Sequence, residues 1–231
     1  MRPPSPPRPA LSFPTLESLA SFLRPRLPPE ALASWGTAPG SKTLVNLFLE
    51  LSDGDCSLHA PSSSSPPPGG RVVRAVHVAT VHIRNRRGAR LVETGQLLSD
   101  GRVRRRGPRA LSEKMRPGES PESAAARAVR EELGAGGRVR VLGLAGAGAA
   151  RVEERESASY PGLPARYVLH AVDAEVEGGV PEQGAFETEE AGEEGADGAV
   201  TVRRHYWEWV DDGEEEAREE HREAAAGARA G

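Results

Sequence analysis

Cysteine is nearly absent from this chain of 231 residues: Cys56 stands alone. That excludes an internal disulfide and any zinc site built on several thiolates, and it makes a reducing compartment the default. Lysine is scarce too, with Lys42 and Lys114 against 28 arginines, and Ile83 is the one isoleucine. Arg, Ala, Gly and Pro are favoured together, as a coding bias would produce, so arginine abundance alone says little about nucleic acid. Aromatics make up 4%, whereas Gly 26 and Pro 20 fill about a fifth of the chain; the core must be modest and loops and tails extensive. No apolar run approaches the ~20 residues that span a bilayer, so no membrane association is expected. The start, Met1-Arg2-Pro3-Pro4, lacks the apolar stretch of a secretory signal, and no acid precedes Glu17. A cytoplasmic location is expected, with an organellar transit peptide as the alternative.

What is present is charge, unevenly placed. Residues 71–151 carry 18 basic and seven acidic side chains, a net of +11; residues 175–231 carry five and 18, a net of −13. A basic middle and an acidic end suit mutual attraction or a basic surface for an anionic ligand. A solvated surface with an acidic low-complexity tail is the plain alternative.

Five regions follow from composition and periodicity. Residues 1–10 form a Pro-rich leader and 61–70 (PSSSSPPPGG) a flexible connector. Between them, 11–60 reads as an N-terminal extension with helical and strand elements. Leu16, Leu19, Phe22 and Leu23 share a helical face that Pro25 ends. A short helix is expected from Glu30 to Trp35, and a strand from Lys42 to Leu51 with imperfect alternation. The main domain is expected over 71–212. Strands are predicted at Arg71–Ile83 and Ala89–Leu97, joined by an Asn85–Gly88 turn with Gly88 at positive φ. Further strands are predicted at Val139–Leu144, Tyr167–Val176 and Val200–Val210. Residues 177–199 read as a loop, and 213–231 as a charged helix with a frayed tail.

Residues 118–134 carry the chemistry. Ser120 is a suitable N-cap, Pro121 fits the first helical position, Glu122 complements the helix dipole and Gly134 suits the end. Val129 and Leu133 would pack inward, while Arg127 and Glu131, four apart, would pair. Glu132 lies beside Glu131, and Glu119 precedes the cap. If the chain folds back, these three carboxylates gather into an oxygen set of the kind that hard divalent cations take. A solvent-exposed Glu/Arg helix is the other reading.

This segment resembles the box of the Nudix hydrolases, G-x5-E-x7-R-E-U-x-E-E-x-G-U, with U aliphatic. Glu119, Arg127, Val129, Glu131, Glu132 and Gly134 fall on their box positions. The preceding hairpin and the late Tyr206-Trp207-Glu208-Trp209-Val210 strand also resemble the family, over residues 71–212. The resemblance implies an α/β fold, a Nudix-like α/β/α sandwich with a mixed β-sheet. It also implies cleavage of a pyrophosphate bond in a nucleoside diphosphate derivative with Mg2+ or Mn2+. Glu119, Glu131 and Glu132 would hold the metal; Arg127, Glu131 and Glu132 would serve catalysis, with Arg127 fixing the carboxylates. The base would be a carboxylate outside the box, among Glu153, Glu154, Glu187, Glu189 and Glu190.

Two departures bear on activity. Glu113 stands where the box opens with Gly, and Ala128 replaces the Glu after the box Arg, on the side expected to face the metal. The alternative function is therefore a catalytically impaired Nudix-fold module that binds a nucleotide, RNA or a protein partner. RNA binding would draw on Arg102, Arg104, Arg105, Arg106 and Arg109, which also read as a solvated hairpin. His77 and His82 fall on opposite sides of their strand, and Phe186 suits a loop anchor.

Overall fold

A computed structural model describes residues 11–38, 40–60, 71–105, 107–134, 138–146, 150–190 and 201–211. The elements are α1 (Leu16–Leu23), α2 (Pro29–Ser34), α3 (Leu44–Ser52), β1 (Ser57–His59), β2 (Val73–Arg84), β3 (Arg90–Leu98), β4 (Val103–Arg104) and β5 (Leu111–Lys114). They continue with α4 (Pro121–Glu132), β6 (Arg138–Leu144), β7 (Arg151–Glu156), β8 (Pro164–Gly178), β9 (Ala185–Glu189) and β10 (Val202–Val210). The fold is mixed α/β and dominated by strands. The leader, the connector and the charged helix and tail predicted over 213–231 lie outside the described residues. Among those residues, no helix is long and apolar enough to cross a membrane.

The chain divides into two compact units, each discontinuous in sequence. The first comprises Met1–Val78, Lys114–Glu119 and Ala149–His170. Its core joins Leu19 and Leu23 of α1, Leu47 of α3, Leu58 of β1, Val76 of β2 and Tyr160. β1 runs antiparallel to β2, and β7 to β8. Trp35 Nε1 donates to the Pro161 carbonyl at 2.9 Å, and its ring meets Tyr160 edge-on at 5.1 Å.

The strand expected over Lys42–Leu51 is instead α3. Thr43 caps it: its hydroxyl accepts from the Asn46 amide at 3.2 Å, while Asn46 Oδ1 accepts from the Thr43 amide at 3.0 Å. A reciprocal cap stabilises a helix start by about 1 kcal/mol. Leu47 and Glu50 turn inward while Val45 and Leu49 remain exposed, a helical rather than a two-residue period. Glu50 is buried among cations, taking Arg74 Nη2 at 2.6 Å, Lys42 Nζ at 2.7 Å and Lys114 Nζ at 3.0 Å. Burial pushes the Glu50 carboxyl up, but Lys114, Arg74 and Lys42 outweigh it and hold the pKa at about 2. Cys56 is a buried free thiol in the same core.

The second unit comprises Ala79–Glu113, Ser120–Gly148 and Ala171–Gly231. Strand order here is β6-β8-β2-β3-β10-β9. The Asn85–Gly88 turn forms as predicted, with Gly88 at φ 84° and Asn85 Oδ1 accepting from Arg87 and Ala89 amides at 2.9 and 3.0 Å. α4 packs Ala125, Ala128, Val129 and the following Leu133 into a core with Val81, Ile83, Leu91, Val172, Trp207 and Trp209. Fully burying one such Leu or Val contributes roughly 1.5–3 kcal/mol. Part of the 177–199 segment expected to be loop is β9. It pairs antiparallel with β10 from Arg204↔Glu189 to Glu208↔Ala185, and Phe186 is partly buried against the core.

Candidate metal centre

The site in the second unit is built on the β3–β10–β9 face that packs α4. His205, Trp207 and Trp209 alternate on β10, so all three point to the buried face. Directly opposite them, Trp209 pairs with Leu91, Trp207 with Glu93 and His205 with Gln96. The register shifts between Tyr206 and Trp207. Thr94 is the extra residue of this bulge, so Glu93 and Gln96, three apart, both turn inward. On β9, Thr188 lies opposite His205 and Phe186 opposite Trp207.

These elements gather buried acids around one imidazole. His205 Nδ1 lies 2.7 Å from Glu93 Oε1 and 3.3 Å from Glu132 Oε2. Its Nε2 bonds Glu190, and its ring stacks on Trp207 with centroids 5.6 Å apart. Arg109 Nε donates to Glu93 Oε2 at 2.6 Å. The same two residues exchange backbone bonds, Glu93 N–H to Arg109 O at 2.7 Å and Arg109 N–H to Glu93 O at 3.1 Å. Thr188 donates its hydroxyl proton to the Glu132 carbonyl and accepts from Trp207 Nε1 at 2.8 Å. Glu93 and His205 are 3% and 2% exposed, and Glu132 is 8% exposed.

The charges follow from this packing. Burial pushes the His205 imidazolium down, but its bonds to Glu190 and Glu93 and the charge of Glu132 hold it at about 9. Burial pushes Glu93 up, and its bonds with His205 and Arg109 bring it below the usual carboxylate range. Burial raises Glu132 to about 8, with Glu93, Glu190 and Glu113 adding to the rise and His205 opposing it. Two carboxylates then balance one imidazolium and one guanidinium, which leaves Glu132 as the acid that keeps its proton.

The residues singled out by spacing are placed as follows. Ser120 caps α4, accepting from the Ser123 amide at 3.2 Å, and Gly134 follows the helix at φ 75°. Arg127 is buried; its Nη1 donates to Glu131 Oε2 at 3.3 Å and to Glu113 Oε1 at 3.0 Å. Glu131 is part-exposed, and Glu132 enters the buried cluster. Glu119 belongs to the first unit, where its Oε2 accepts from the Arg116 amide at 2.8 Å. Ala128 sits fully buried in the apolar core, one helical turn before Glu132 on the same buried side of α4.

Of the five carboxylates considered as bases, Glu190 lies on His205. Glu187 and Glu189 pair with Arg204, and Glu153 with Arg151. Glu154 is exposed. The arginine stretch is largely tied up internally: Arg102 with Asp100, Arg104 with Gln96 and Arg109 with Glu93. Arg105 is exposed, and Arg106 lies outside the described residues.

Sequence reasoning missed Glu93 and His205, and it read Arg109 as part of a basic stretch rather than as the partner of Glu93. A signal was present for both: Glu93 interrupts an apolar strand, and His205 alternates with Trp207 and Trp209. Ligand atoms of Glu93, Glu132 and His205 lie within 4.8 Å of one another. One imidazole and two buried carboxylates suit Mn2+ or Zn2+ better than Mg2+, which prefers oxygen ligands and retains several waters. No protein-family model matches the chain, and no curated protein matches it.

Proposed function

We propose that the chain is a divergent Nudix-type hydrolase that cleaves a pyrophosphate bond in a nucleoside diphosphate derivative with a divalent metal. The observation that carries this reading is the Arg127 clamp. A buried guanidinium on α4 grips Glu131 and Glu113, while Glu132, the next residue, turns into the acid–imidazole cluster. Glu131 and Glu132 are the proposed metal-binding carboxylates. Arg127 positions them through charge-assisted bonds. A divalent ion, when bound, neutralises the pyrophosphate and lowers the pKa of a bound water. In the same reading residues 71–212 form an α/β/α sandwich of the Nudix kind, the protein is cytoplasmic, and its partner is a nucleotide-derived small molecule.

The test is a screen of nucleoside diphosphate derivatives with Mg2+ or Mn2+. Turnover is expected, and Glu131→Gln with Glu132→Gln should lower it by about a hundredfold or more. Absence of turnover on every compound would remove the hydrolase.

One observation favours a second reading, a non-catalytic binding module on the same fold. The position where the box carries a Glu is Ala128, fully buried in the apolar core. In that case nucleotide binding would survive removal of metal by a chelator.

A further inference from the structure

The geometry points to a site for one divalent transition-metal ion, held by Glu93 Oε1, Glu132 Oε2 and His205 Nδ1. Two of these ligands lie outside the helix that the box resemblance marks. The site deepens the hydrolase reading, from which it takes a metal-bearing α4, but the two can fail separately.

Ligand atoms of the three residues lie within 4.8 Å of one another. Nδ1 is 2.7 Å from Oε1 and 3.3 Å from Oε2. An ion about 2.1 Å from each donor holds neighbouring donors roughly 3–3.4 Å apart. The Nδ1–Oε1 pair needs to open by only a few tenths of an ångström to admit it, and the carboxylate oxygens lie within 4.8 Å of each other.

The surroundings already hold each ligand as a metal site requires. Metal-bound histidines are oriented by a carboxylate on the other ring nitrogen. Glu190 occupies Nε2, which turns Nδ1 to the acids. Arg109 engages Glu93 Oε2 and leaves Oε1 facing His205. Trp207 stacks against the imidazole and fixes the plane of the ring.

Glu132 supplies an independent pointer. Its carboxylate, on a residue 8% exposed, makes one side-chain contact among the described residues. That contact, at 3.3 Å, is with an Nδ1 already engaged by Glu93. Without a cation this acid keeps its proton; a divalent ion would take the place of that proton on the carboxylate. The formal charge agrees: once the protons on Glu132 and His205 leave, Glu93, Glu132 and Glu190 against Arg109 carry two negative charges. A divalent ion cancels them. The nitrogen donor selects Mn2+ or Zn2+ over Mg2+.

Mn2+ titration of the full chain, followed by the electron paramagnetic resonance of free Mn2+, tests the site. One bound ion is expected, displaced by Zn2+ at far lower concentration than by Mg2+. His205→Asn and Glu93→Gln should each weaken binding at least tenfold. Pulsed resonance on wild-type protein should show coupling to an imidazole nitrogen, a readout that needs no variant to fold. Unchanged affinity in folded His205→Asn, or bound Mn2+ without nitrogen coupling, would overturn the site, as would failure of the wild-type chain to bind. Hydrolysis that persists without this binding would spare the hydrolase and remove the site. Binding with nitrogen coupling but no turnover would do the reverse.

Discussion

At the scale of single residues, Ala128 shows how a position can change meaning once packed. By spacing it marks a missing carboxylate; in the structure it is a small apolar residue fully buried beside Val129 and Ala125. A glutamate introduced there would enter the apolar core and displace neighbouring side chains. Ala128→Glu should therefore destabilise the protein by roughly 3 kcal/mol, read as a lower urea midpoint at unchanged slope. It should create no hydrolytic activity. Full stability with a gain in turnover would return Ala128 to a metal-facing role. Glu132, one helical turn further on, shows the complement: a carboxylate is tolerated on the buried side only where His205 waits for it.

At the scale of elements, α3 and the β3–β10 pair show why pattern alone misleads. Residues 42–51 alternate imperfectly as a strand would, but Thr43 and Asn46 cap each other and commit the segment to a helix. Thr43→Ala should cost about 1 kcal/mol, measured by thermal unfolding. It should also reduce the helical signal in circular dichroism, a loss that a strand would not show. The bulge at Thr94 is the other case. With a regular two-residue period Glu93 and Gln96 would face opposite ways; the extra residue turns both inward, where they meet Trp207 and His205. The caps of α4 and its Arg127–Glu131 pair, by contrast, lie within one turn of helix and were legible from spacing.

At the scale of the molecule, each unit carries a buried charge cluster, and the two respond oppositely to pH. In the first, Glu50 falls from 4.5 to about 2 on folding. Its stabilisation, of order 3 kcal/mol, is full above pH 4.5 and is lost as pH falls towards 2. In the second, Glu132 and His205 are both raised, to about 8 and about 9. Glu132 favours the folded state fully below its ordinary pKa of 4.5 and loses that contribution as pH rises to about 8. His205 does so fully below 6.5 and loses it as pH rises through about 9. Tryptophan fluorescence separates the units, because Trp35 lies in the first and Trp207 and Trp209 in the second. A Trp35→Phe chain should lose urea resistance from pH 6 to 9. A chain with Trp207→Phe and Trp209→Phe, reporting Trp35, should lose it from pH 5 to 2.5. Parallel profiles from both reporters would refute this division of charge.

The sequence by itself determined what is local: the hairpin turn at Asn85–Gly88, the capped helix from Pro121, and the strands whose apolar residues alternate without interruption. Each depends on residues within a few positions of one another, where propensity and spacing act directly. Only the tertiary structure decided that Glu132 meets Glu93, 39 positions away, and His205, 73 positions away. It also decided that Ala128 belongs to the core and that Glu119 belongs to the other unit. Those outcomes turn on strand register and on one bulge. Register is set by long-range pairing and burial, and no short stretch of sequence contains it.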